Sequence, residues 1–306
     1  MPEGHTLHRL ARLHQRRLAS GVVRVSSPQG KFAEGAARVD GRVLIRSEAW
    51  GKHLLHHYDS GLVVHVHLGL YGAFTESEVP MGEPVGQVRM RLFGGPDGQP
   101  GFGTDLRGPT ACEILLPPEV AALTDRLGPD PLRRGADPDR AWRRIRRSRR
   151  PIGALLMDQQ VVAGVGNVYR AELLFRHHIS PHRPGTDLSV GEWSEMWTDL
   201  LALMKVGVRV GKMVVVRPEH DHGEPSYAPD RPRTYVYRRA GAPGPRWGPP
   251  LAPKGFEGRN ILRGPPSNPP RTPRRGFRAP APPAGVSGGL IGGPPHHIPP
   301  LHPVWG

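Results

Sequence analysis

The first residues of the chain combine two groups that could perform chemistry together. If Met1 is removed, the secondary amine of Pro2 becomes the N-terminus and stands next to the carboxyl group of Glu3. A secondary amine can attack an electrophilic carbon and form an iminium ion, and a neighbouring carboxylic acid can protonate the group that leaves. An α-amine titrates near ~8, so part of it is unprotonated at neutral pH. The alternative is an ordinary processed and solvated terminus.

A second candidate site is the turn Gly164-Val165-Gly166-Asn167, which separates two segments of helical periodicity. The two glycines permit backbone conformations and close approaches that other residues forbid. Asn167 is expected to cap the following helix, so that the N-terminal amides of this helix remain free to face a phosphate. An ordinary helical hairpin with a solvated basic face would show the same pattern.

Two loops of the N-terminal half carry residues that could contact a ligand. Lys52 lies between two strand-like segments, where a lysine is ordinarily only solvated. Leu70 and Tyr71 stand between Gly69 and Gly72, and a wedge that fills a hole in a base stack would have this form. A plain turn with both side chains folded into the core is the alternative.

Metal binding is not expected from the histidines or the single cysteine. His65 and His67 are two residues apart on a predicted strand, as are His220 and His222 in a turn-rich segment, but neither pair has an identifiable third ligand. Cys112 alone allows neither a disulfide within a monomer nor a cysteine metal site, and it fits a reducing compartment.

The composition points to an anionic partner. The 306 residues suffice for about two domains and carry 42 Lys and Arg against 27 Asp and Glu, a net charge of +15. This balance predicts attraction to polyanions, with nucleic acid the first candidate, unless it reflects only the Arg and Pro drift of a GC-rich genome. Without a signal segment or an apolar run near ~18 residues, we expect a cytoplasmic protein, nucleoid-associated in a bacterium, with no membrane partner.

The elements that would position these groups change in character along the chain. Residues 6–19 predict an amphipathic helix that begins just after Glu3. From residue 21 to about 117, apolar and polar residues alternate between glycine- and proline-rich breaks, which predicts an antiparallel sandwich or barrel. Residues 127–131, Leu-Gly-Pro-Asp-Pro, are interpreted as a linker.

Beyond this linker the periodicity becomes helical. Asp137 and Pro138 predict the start of an arginine-dense helix, and further helices are predicted from Pro151, over about 167–178 and over about 190–210. Residues 234–238 then alternate like a strand. Residues 271–306 are rich in Pro, Gly, Arg and His, have few core-forming side chains and are expected to be disordered.

Taken together, these residues resemble the bacterial formamidopyrimidine-DNA glycosylase and endonuclease VIII family. The Met-Pro-Glu-Gly opening and the Leu70-Tyr71 pair are more similar to the endonuclease VIII branch. The similarity covers about residues 1–268 and rests on four motifs in the family's order and approximate spacing. These are Pro2-Glu3, Gly51-Lys52, the Gly-Val-Gly-Asn turn ending at Asn167, and Gly258-Arg259-Asn260.

The resemblance implies a catalytic role for four residues. Pro2 would be the Schiff-base nucleophile at C1′ of the damaged nucleotide, and Glu3 would protonate the sugar ring oxygen as that bond opens. Lys52 would assist proton transfer and bind phosphate during β-elimination. Arg259 would contact phosphates around the lesion from a C-terminal finger and serve the δ-elimination step.

DNA contacts are implied in the same way. Asn167, following Gly166 in the helix-two-turn-helix, would hold a backbone phosphate, and Arg126 would hold another. Leu70 and Tyr71 would fill the gap left by the flipped base. A base inside a duplex must be flipped out while the distorted DNA is held through its phosphates, which agrees with the positive charge of the chain.

The family's zinc-binding cysteines are missing from this chain. Where the finger usually carries two Cys-x-x-Cys pairs, the sequence has Gly244, Trp247, Gly264 and Ser267. Structural zinc contributes on the order of 10 kcal/mol to small fingers, so a hairpin without it should be loose unless it packs on the helical domain. We therefore expect no cofactor, as in those family members that keep a zincless finger hairpin.

The expected fold class is α+β multidomain. Residues 1–125 would form an N-terminal catalytic antiparallel β-sandwich, and 126–225 a helix-two-turn-helix DNA-binding domain. Residues 226–270 would form a degenerate zincless finger hairpin, and 271–306 a disordered tail.

The expected function is base excision repair of damaged double-stranded DNA by a monomer. The chain would be a bifunctional DNA glycosylase and AP lyase that removes oxidised bases, pyrimidines by branch resemblance, through a Schiff base at Pro2 and β,δ-elimination. Two alternatives stay open. A family member with a decayed finger would keep only AP-lyase or weak activity, and a non-catalytic DNA-binding protein would use the basic helical domain alone.

Overall fold

A computed structural model of the chain describes residues 2–97, 101–221 and 233–237, together with the backbone of 252–256 and 259–263. The chain divides into two compact units, Met1–Arg271 and Thr272–Gly306, and all of these described residues belong to the first. The expected disordered tail therefore lies outside the described residues.

The N-terminal half is an antiparallel β-sandwich with a helix packed beside it. Helix α1 spans Gly4–Arg17, so the predicted helix directly after Glu3 is confirmed, and a short helix α2 spans Ala33–Val39. Eight strands form one sheet in the order β5-β7-β6-β1-β2-β3-β4-β8. The strands are β1 (Gly21–Ser26), β2 (Arg42–Trp50), β3 (His53–Tyr58), β4 (Val63–His67), β5 (Ala73–Glu78), β6 (Val88–Gly94), β7 (Phe102–Arg107) and β8 (Ala111–Leu115).

The predicted alternation is what builds the core of this half. On β6, Val88, Met90 and Leu92 are fully buried, and Met90 and Leu92 face the core together with Leu7 of α1. Each such side chain contributes roughly 1.5–3 kcal/mol when it leaves water. The alternation fails on β4, where His65 is buried as well as its valine neighbours.

Among the described residues, five α-helices follow the sandwich. They are α3 (Pro117–Asp125), α4 (Pro138–Ile145), α5 (Ile152–Leu155), α6 (Asn167–Arg176) and α7 (Val190–Val210). Helix α3 was not predicted, because its single buried residue, Leu123, leaves no helical periodicity to detect. The predicted caps are confirmed at α4, where the Asp137 side chain accepts from Asp139 N and Pro138 is the first helical residue. Leucines, valines and two tryptophans of these helices form a second core.

The segment 127–131 is not a solvated linker. All five of its residues are buried. Gly128 N donates to Gln159 O at 2.8 Å, and Ala163 N donates to Pro129 O at 3.1 Å. The segment lies between α3 and α4, as expected of a linker, but it is buried, because its backbone groups find partners in the helical domain rather than in water.

The strand expected at 234–238 is not formed by its described residues, 234–237. Only the adjacent Arg233 makes a bridge, to Val214. The amides of Tyr235, Val236 and Tyr237 all donate to the carboxylate of Glu172, so a side chain replaces the partner strand.

The predicted hairpin is present at the backbone level. Strands β9 (Ala252–Phe256) and β10 (Arg259–Arg263) pair antiparallel, with Arg259 opposite Phe256. None of the helices that the structure describes combines the length and apolarity that a membrane crossing needs.

Candidate active site

The carboxylate of Glu3 lies at the junction between α1 and α6. Glu3 is the residue before α1, and its side chain is fully buried. Its Oε2 accepts hydrogen bonds from Gly166 N (2.8 Å) and Tyr169 N (3.3 Å), and its Oε1 accepts one from Val168 N (2.8 Å). A carboxylate that comes 163 residues before Gly166 in the chain therefore caps α6.

This arrangement corrects the capping role expected of Asn167. The residue before α6 is Gly166, and the amides that were expected to face a phosphate donate to Glu3 instead. Asn167 is the first helical residue, and its side-chain oxygen accepts a hydrogen bond from the Arg170 guanidinium. Because a helix N-terminus favours negative charge, the Glu3 carboxylate occupies the place where a phosphate was expected.

The glycines of the turn are required by close packing, as predicted. Gly4 N donates to Gly164 O at 2.8 Å, and a Cβ on Gly4 would lie 2.8 Å from Gly164 Cα. Gly164 has a φ of +90°, which residues with a side chain rarely adopt. A Cβ on Gly166 would overlap the Glu3 carboxylate. Larger residues at these positions would separate the N-terminus from α6.

The environment of Glu3 favours its protonated form. Burial raises the pKa of Glu3, while the charge of Lys52 and the three amide hydrogen bonds oppose this effect without cancelling it. A carboxyl group with a raised pKa retains its proton at higher pH, as a general acid near neutrality must. Pro2, which is half-buried, directly precedes it.

Lys52 lies in the turn between β2 and β3, beside the Gly-Val-Gly turn. Its ammonium group is close enough to Glu3 to lower the pKa of that carboxyl group. Gly51 has a φ of +55°, and a Cβ on it would lie 3.0 Å from Ala163 Cβ. The structure thus brings together Pro2, Glu3 and Lys52, three of the four residues predicted to be catalytic.

Asp130 holds the parts of this site together, and sequence reasoning missed it. Its buried carboxylate accepts from Gly51 N at 2.7 Å and from Leu132 N at 2.9 Å, and it lies 2.7 Å from His8 Nε2 of α1. One side chain therefore joins the Lys52 turn, the helix that follows Glu3 and the start of the helical domain. A Gly-Pro-Asp-Pro segment is typical of a loop, so no local signal could have shown this role.

Two buried aromatic rings lie behind Glu3. His5 and Tyr169 meet edge to face with ring centroids 5.4 Å apart. Burial, then the charge of the chain terminus and His8, lowers the pKa of His5 to about 4. Burial and the Glu3 carboxylate raise the pKa of Tyr169. Both rings are therefore neutral at physiological pH, and the Tyr169 hydroxyl lies close enough to Glu3 to be influenced by its charge.

A chain of three hydrogen-bonded side chains crosses β3, β4 and β8 next to Lys52. Glu113 Oε1 lies 2.9 Å from His65 Nδ1, and His65 Nε2 lies 2.8 Å from His53 Nδ1. Burial, reinforced by nearby histidines and cations, lowers the pKa of His53 to about 3. His65 and His67 belong to this neutral cluster, and no group of residues that the structure describes could hold a metal ion.

The Leu70-Tyr71 pair does not fold back into the core. Leu70 is 46% exposed and Tyr71 88% exposed, which favours the wedge over the plain turn. Gly69 N donates to His67 Nδ1 at 3.2 Å, so the loop is anchored to the strand that runs beside His53. Arg126 is exposed at the end of α3.

The predicted finger residues are described only in part. The backbone of Arg259 lies in β10, but its side chain is outside the described residues, as are the four positions of the missing cysteines, Gly244, Trp247, Gly264 and Ser267. Glycine and tryptophan carry no side-chain ligand for zinc, so this set of residues does not fit the metal.

Two family models match the chain, one on each half. The formamidopyrimidine-DNA glycosylase N-terminal domain matches residues 1–112, and the formamidopyrimidine-DNA glycosylase H2TH domain matches residues 127–218. The first match contains Pro2, Glu3 and Lys52, and the second contains the Gly-Val-Gly turn with Asn167.

Curated relatives agree with these matches. Endonuclease 8 1 of Mycobacterium tuberculosis is 64% identical over 266 residues, which cover 86% of this chain and 97% of the relative. Formamidopyrimidine-DNA glycosylase of Thermus thermophilus is 31% identical over 227 residues, 73% of this chain and 81% of the relative.

Solved structures show the same fold. MutM (Fpg) of Thermus thermophilus superimposes with a TM-score of 0.64 at 26% identity, over 86% of this chain and 96% of its own. Fpg of Lactococcus lactis in complex with DNA containing FAPY-dG superimposes with a TM-score of 0.68 at 16% identity, over 86% of this chain and 98% of its own. With both halves matched and a relative 64% identical over nearly its whole length, the chain belongs to the formamidopyrimidine-DNA glycosylase and endonuclease VIII family, DNA repair glycosylases that are also AP lyases.

Proposed function

We propose that this chain is a bifunctional glycosylase and AP lyase that removes oxidised pyrimidines from double-stranded DNA, with Pro2 as nucleophile and Glu3 as proton donor. The observation that carries the proposal is the buried Glu3 carboxyl group, which lies beside both Pro2 and Lys52 and has a raised pKa. The choice of pyrimidines follows the resemblance to the endonuclease VIII branch and the endonuclease 8 relatives.

In the first step the Pro2 nitrogen attacks C1′ of the damaged nucleotide. A bond forms between this nitrogen and C1′ while the glycosidic C1′–N bond breaks, and the proton that the Pro2 nitrogen gives up is taken by the departing base. Glu3 donates its proton to the ring oxygen O4′ as the C1′–O4′ bond opens. The nitrogen, having lost its own proton, then forms the iminium ion with C1′.

The iminium ion allows the DNA strand to be cleaved at the same nucleotide. It withdraws electrons from C1′, so that the C2′ proton can leave and the C3′–O bond can break, which releases the 3′ phosphate. A second proton loss, from C4′, releases the 5′ phosphate. We assign proton transfer and phosphate binding in β-elimination to Lys52, and assistance of δ-elimination to Arg259.

The DNA would be held by contacts to its backbone phosphates and by side chains that enter its base stack. Asn167, next to Gly166, and Arg126 would each bind a backbone phosphate, and exposed Leu70 and Tyr71 would enter the space of the flipped base. The amides of the α6 turn are left out of this proposal, because they donate to Glu3.

Borohydride trapping on duplex DNA with an abasic site tests the chemistry. The proposal requires a covalent adduct that disappears when Pro2 is blocked by retained Met1 or by an added tag. Tight DNA binding without an adduct would leave only the non-catalytic alternative. An adduct on abasic DNA, combined with no release of an oxidised pyrimidine, would indicate the family member with a decayed finger.

The role of the hairpin has its own test. Arg259→Ala should slow δ-elimination more than β-elimination, measured as the ratio of the two cleavage products on a gel. Arg263→Ala, on the same strand, is the matched control and should leave the ratio unchanged. If Arg259→Ala and wild type give the same ratio, the hairpin does not bring Arg259 to the DNA.

A further inference from the structure

A cleft of about 460 Å³ opens between α1, β2 and residues 132–134. Its lining includes none of the residues assigned above to catalysis or DNA contact. Its volume falls in the range of pockets that hold small ligands, roughly 300–1,000 Å³. The cleft is therefore a place where a second kind of ligand could bind.

The walls of this cleft are strongly basic. They carry four arginines, Arg12, Arg16, Arg133 and Arg134, against one carboxylate, Glu48. The guanidinium groups of Arg12, Arg16 and Arg134 make no hydrogen bond or ion pair with any residue that the structure describes, so three charges face the solvent without a counterion.

The one carboxylate of the wall does not neutralise these charges. Glu48 Oε1 lies 2.8 Å from Arg46 Nη2 and 3.0 Å from His57 Nε2, and its Oε2 lies 3.1 Å from Arg133 Nη1. Although burial opposes it, hydrogen bonding to His57 and Arg133 lowers the pKa of Glu48 to about 2. Both oxygens of Glu48 are thus engaged, and their partners do not include Arg12, Arg16 or Arg134.

Part of the wall is rigid before any ligand arrives. The Arg133 guanidinium donates to Ala49 O at 2.9 Å and stacks over the Trp50 ring at 3.5 Å. Gln15 Oε1 accepts from Ser47 N at 2.8 Å, which fixes the amide so that its NH₂ group is left as a donor. The Ser47 hydroxyl is buried without a partner among the described residues. Such a wall offers a ligand mainly hydrogen-bond donors.

We propose that this cleft binds a polyphosphate group, supplied either by inorganic pyrophosphate or by a nucleoside triphosphate. Guanidinium forks match the spacing of phosphate oxygens, and neighbouring unpaired arginines suit a ligand that carries several negative charges on adjacent groups. A DNA duplex presents its phosphates along an extended convex surface instead, and the residues proposed to contact DNA lie elsewhere.

Isothermal titration of the full chain tests this proposal at low ionic strength. Pyrophosphate and ATP should both bind with one site per chain, and adenosine should not bind. Equal affinities would identify the phosphate chain as the ligand, whereas tighter binding of ATP would identify a nucleotide. Arg12→Ala combined with Arg134→Ala should weaken both by about tenfold or more.

The control variant removes two arginine charges from the N-terminal half at positions outside the cleft. Arg38 and Arg42 are exposed and do not line the cleft, so the double variant R38A/R42A should retain wild-type affinity. All variants should melt like wild type, because the four side chains are on the surface.

Three results would overturn the proposal. One is absence of pyrophosphate and ATP binding to wild type, and another is equal loss in the two double variants. The third is an R12A/R134A variant whose affinity for duplex DNA, measured by fluorescence anisotropy, falls by the same factor as its affinity for pyrophosphate. The cleft would then be part of the DNA-binding surface.

Discussion

Two glutamates of this protein, Glu3 and Glu172, are held in nearly the same way. Both are fully buried, and for each the structure describes three backbone amides that donate to the carboxylate. The amides belong to Gly166, Val168 and Tyr169 for Glu3, and to Tyr235, Val236 and Tyr237 for Glu172. A cradle of amides is therefore not in itself the sign of a catalytic carboxylate.

The neighbours of the two carboxylates make the difference. Glu3 follows Pro2 near the chain terminus and lies close to Lys52. The Pro2 amine and the Lys52 ammonium group are therefore both neighbours of the Glu3 carboxyl group. Glu172 lies within α6 and holds residues 235–237, a segment that forms no strand of its own. The same hydrogen-bonding pattern positions an acid in one place and anchors a piece of chain in the other.

The largest expected effect separates the two glutamates by activity. Glu3→Gln should lower the rate of base release at least about 100-fold, because an amide cannot supply the proton of a general acid. Glu172→Gln should change the rate of the folded enzyme by no more than about threefold. Single-turnover excision assays, run well below both melting temperatures, measure this.

One result would contradict the expected difference in activity between the two glutamate variants. If Glu172→Gln loses as much activity as Glu3→Gln while its circular dichroism remains that of wild type, Glu172 takes part in the reaction and is not only an anchor.

A smaller effect is expected at Asp130, which tests whether the catalytic role proposed for Glu3 depends on the position of the Lys52 turn. Asp130→Asn replaces one acceptor oxygen by an NH₂ group, so a hydrogen bond to Gly51 N, Leu132 N or His8 is lost. We expect the rate of borohydride trapping to fall about tenfold, as for a misplaced catalytic group. Asp125→Asn, an exposed residue nearby, is the control with the same change of charge. Equal rates for the two variants would show that Lys52 does not depend on Asp130.

The two glutamates should also affect stability with opposite signs. The pKa of Glu3 is raised from 4.5, so the folded protein binds this proton more tightly than the unfolded chain does. The resulting stabilisation is present below the unfolded pKa and is lost as the pH rises through the folded pKa. Glu3→Gln should therefore raise the melting temperature at pH ~7.5, and this gain should shrink toward pH ~4.5.

Glu172→Gln should instead lower the free energy of unfolding by about 1–3 kcal/mol, because an amide oxygen replaces two oxygens that serve three amides. Thermal melts of both variants over a pH series measure the difference. A Glu3→Gln protein that melts below wild type at pH ~7.5 would remove the distinction.

Removal of metal ions is expected to have no effect on this protein. The positions of the missing cysteines carry no thiol, and Glu172 anchors the chain that leads toward the hairpin, so EDTA should change neither activity nor melting temperature. Elemental analysis that finds one zinc per chain would contradict this expectation.

Local signals in the sequence were reliable where the partners were local. Helix α7 spans Val190–Val210 as predicted, because Ser189 and Glu192 form a capping box at its start and Gly211, with a φ of +82°, ends it. The start of α1 after Glu3 was predictable for the same reason, since its apolar face repeats with the helical period.

Apart from the missed helix α3 and the buried His65 of β4, the errors involve partners that are distant in the chain. Asn167 was expected to cap α6, but Glu3 supplies the cap from across the molecule. Residues 234–237 alternate like a strand, yet Glu172 accepts from the amides of the last three of them. Asp130 was hidden in a linker-like segment because its partners His8 and Gly51 lie 122 and 79 residues away. Side-chain hydrogen bonds of this range leave no periodicity in the sequence.

The cap that Glu3 places on α6 also has a consequence for protein synthesis. Pro2 emerges from the ribosome at the start of synthesis, but the amides that position Glu3 emerge only after residue 169 has been made. Until then the new chain carries the Glu3 carboxylate without the amides that hold it. The proposed acid is therefore positioned only after the helical part of the molecule has folded against α1.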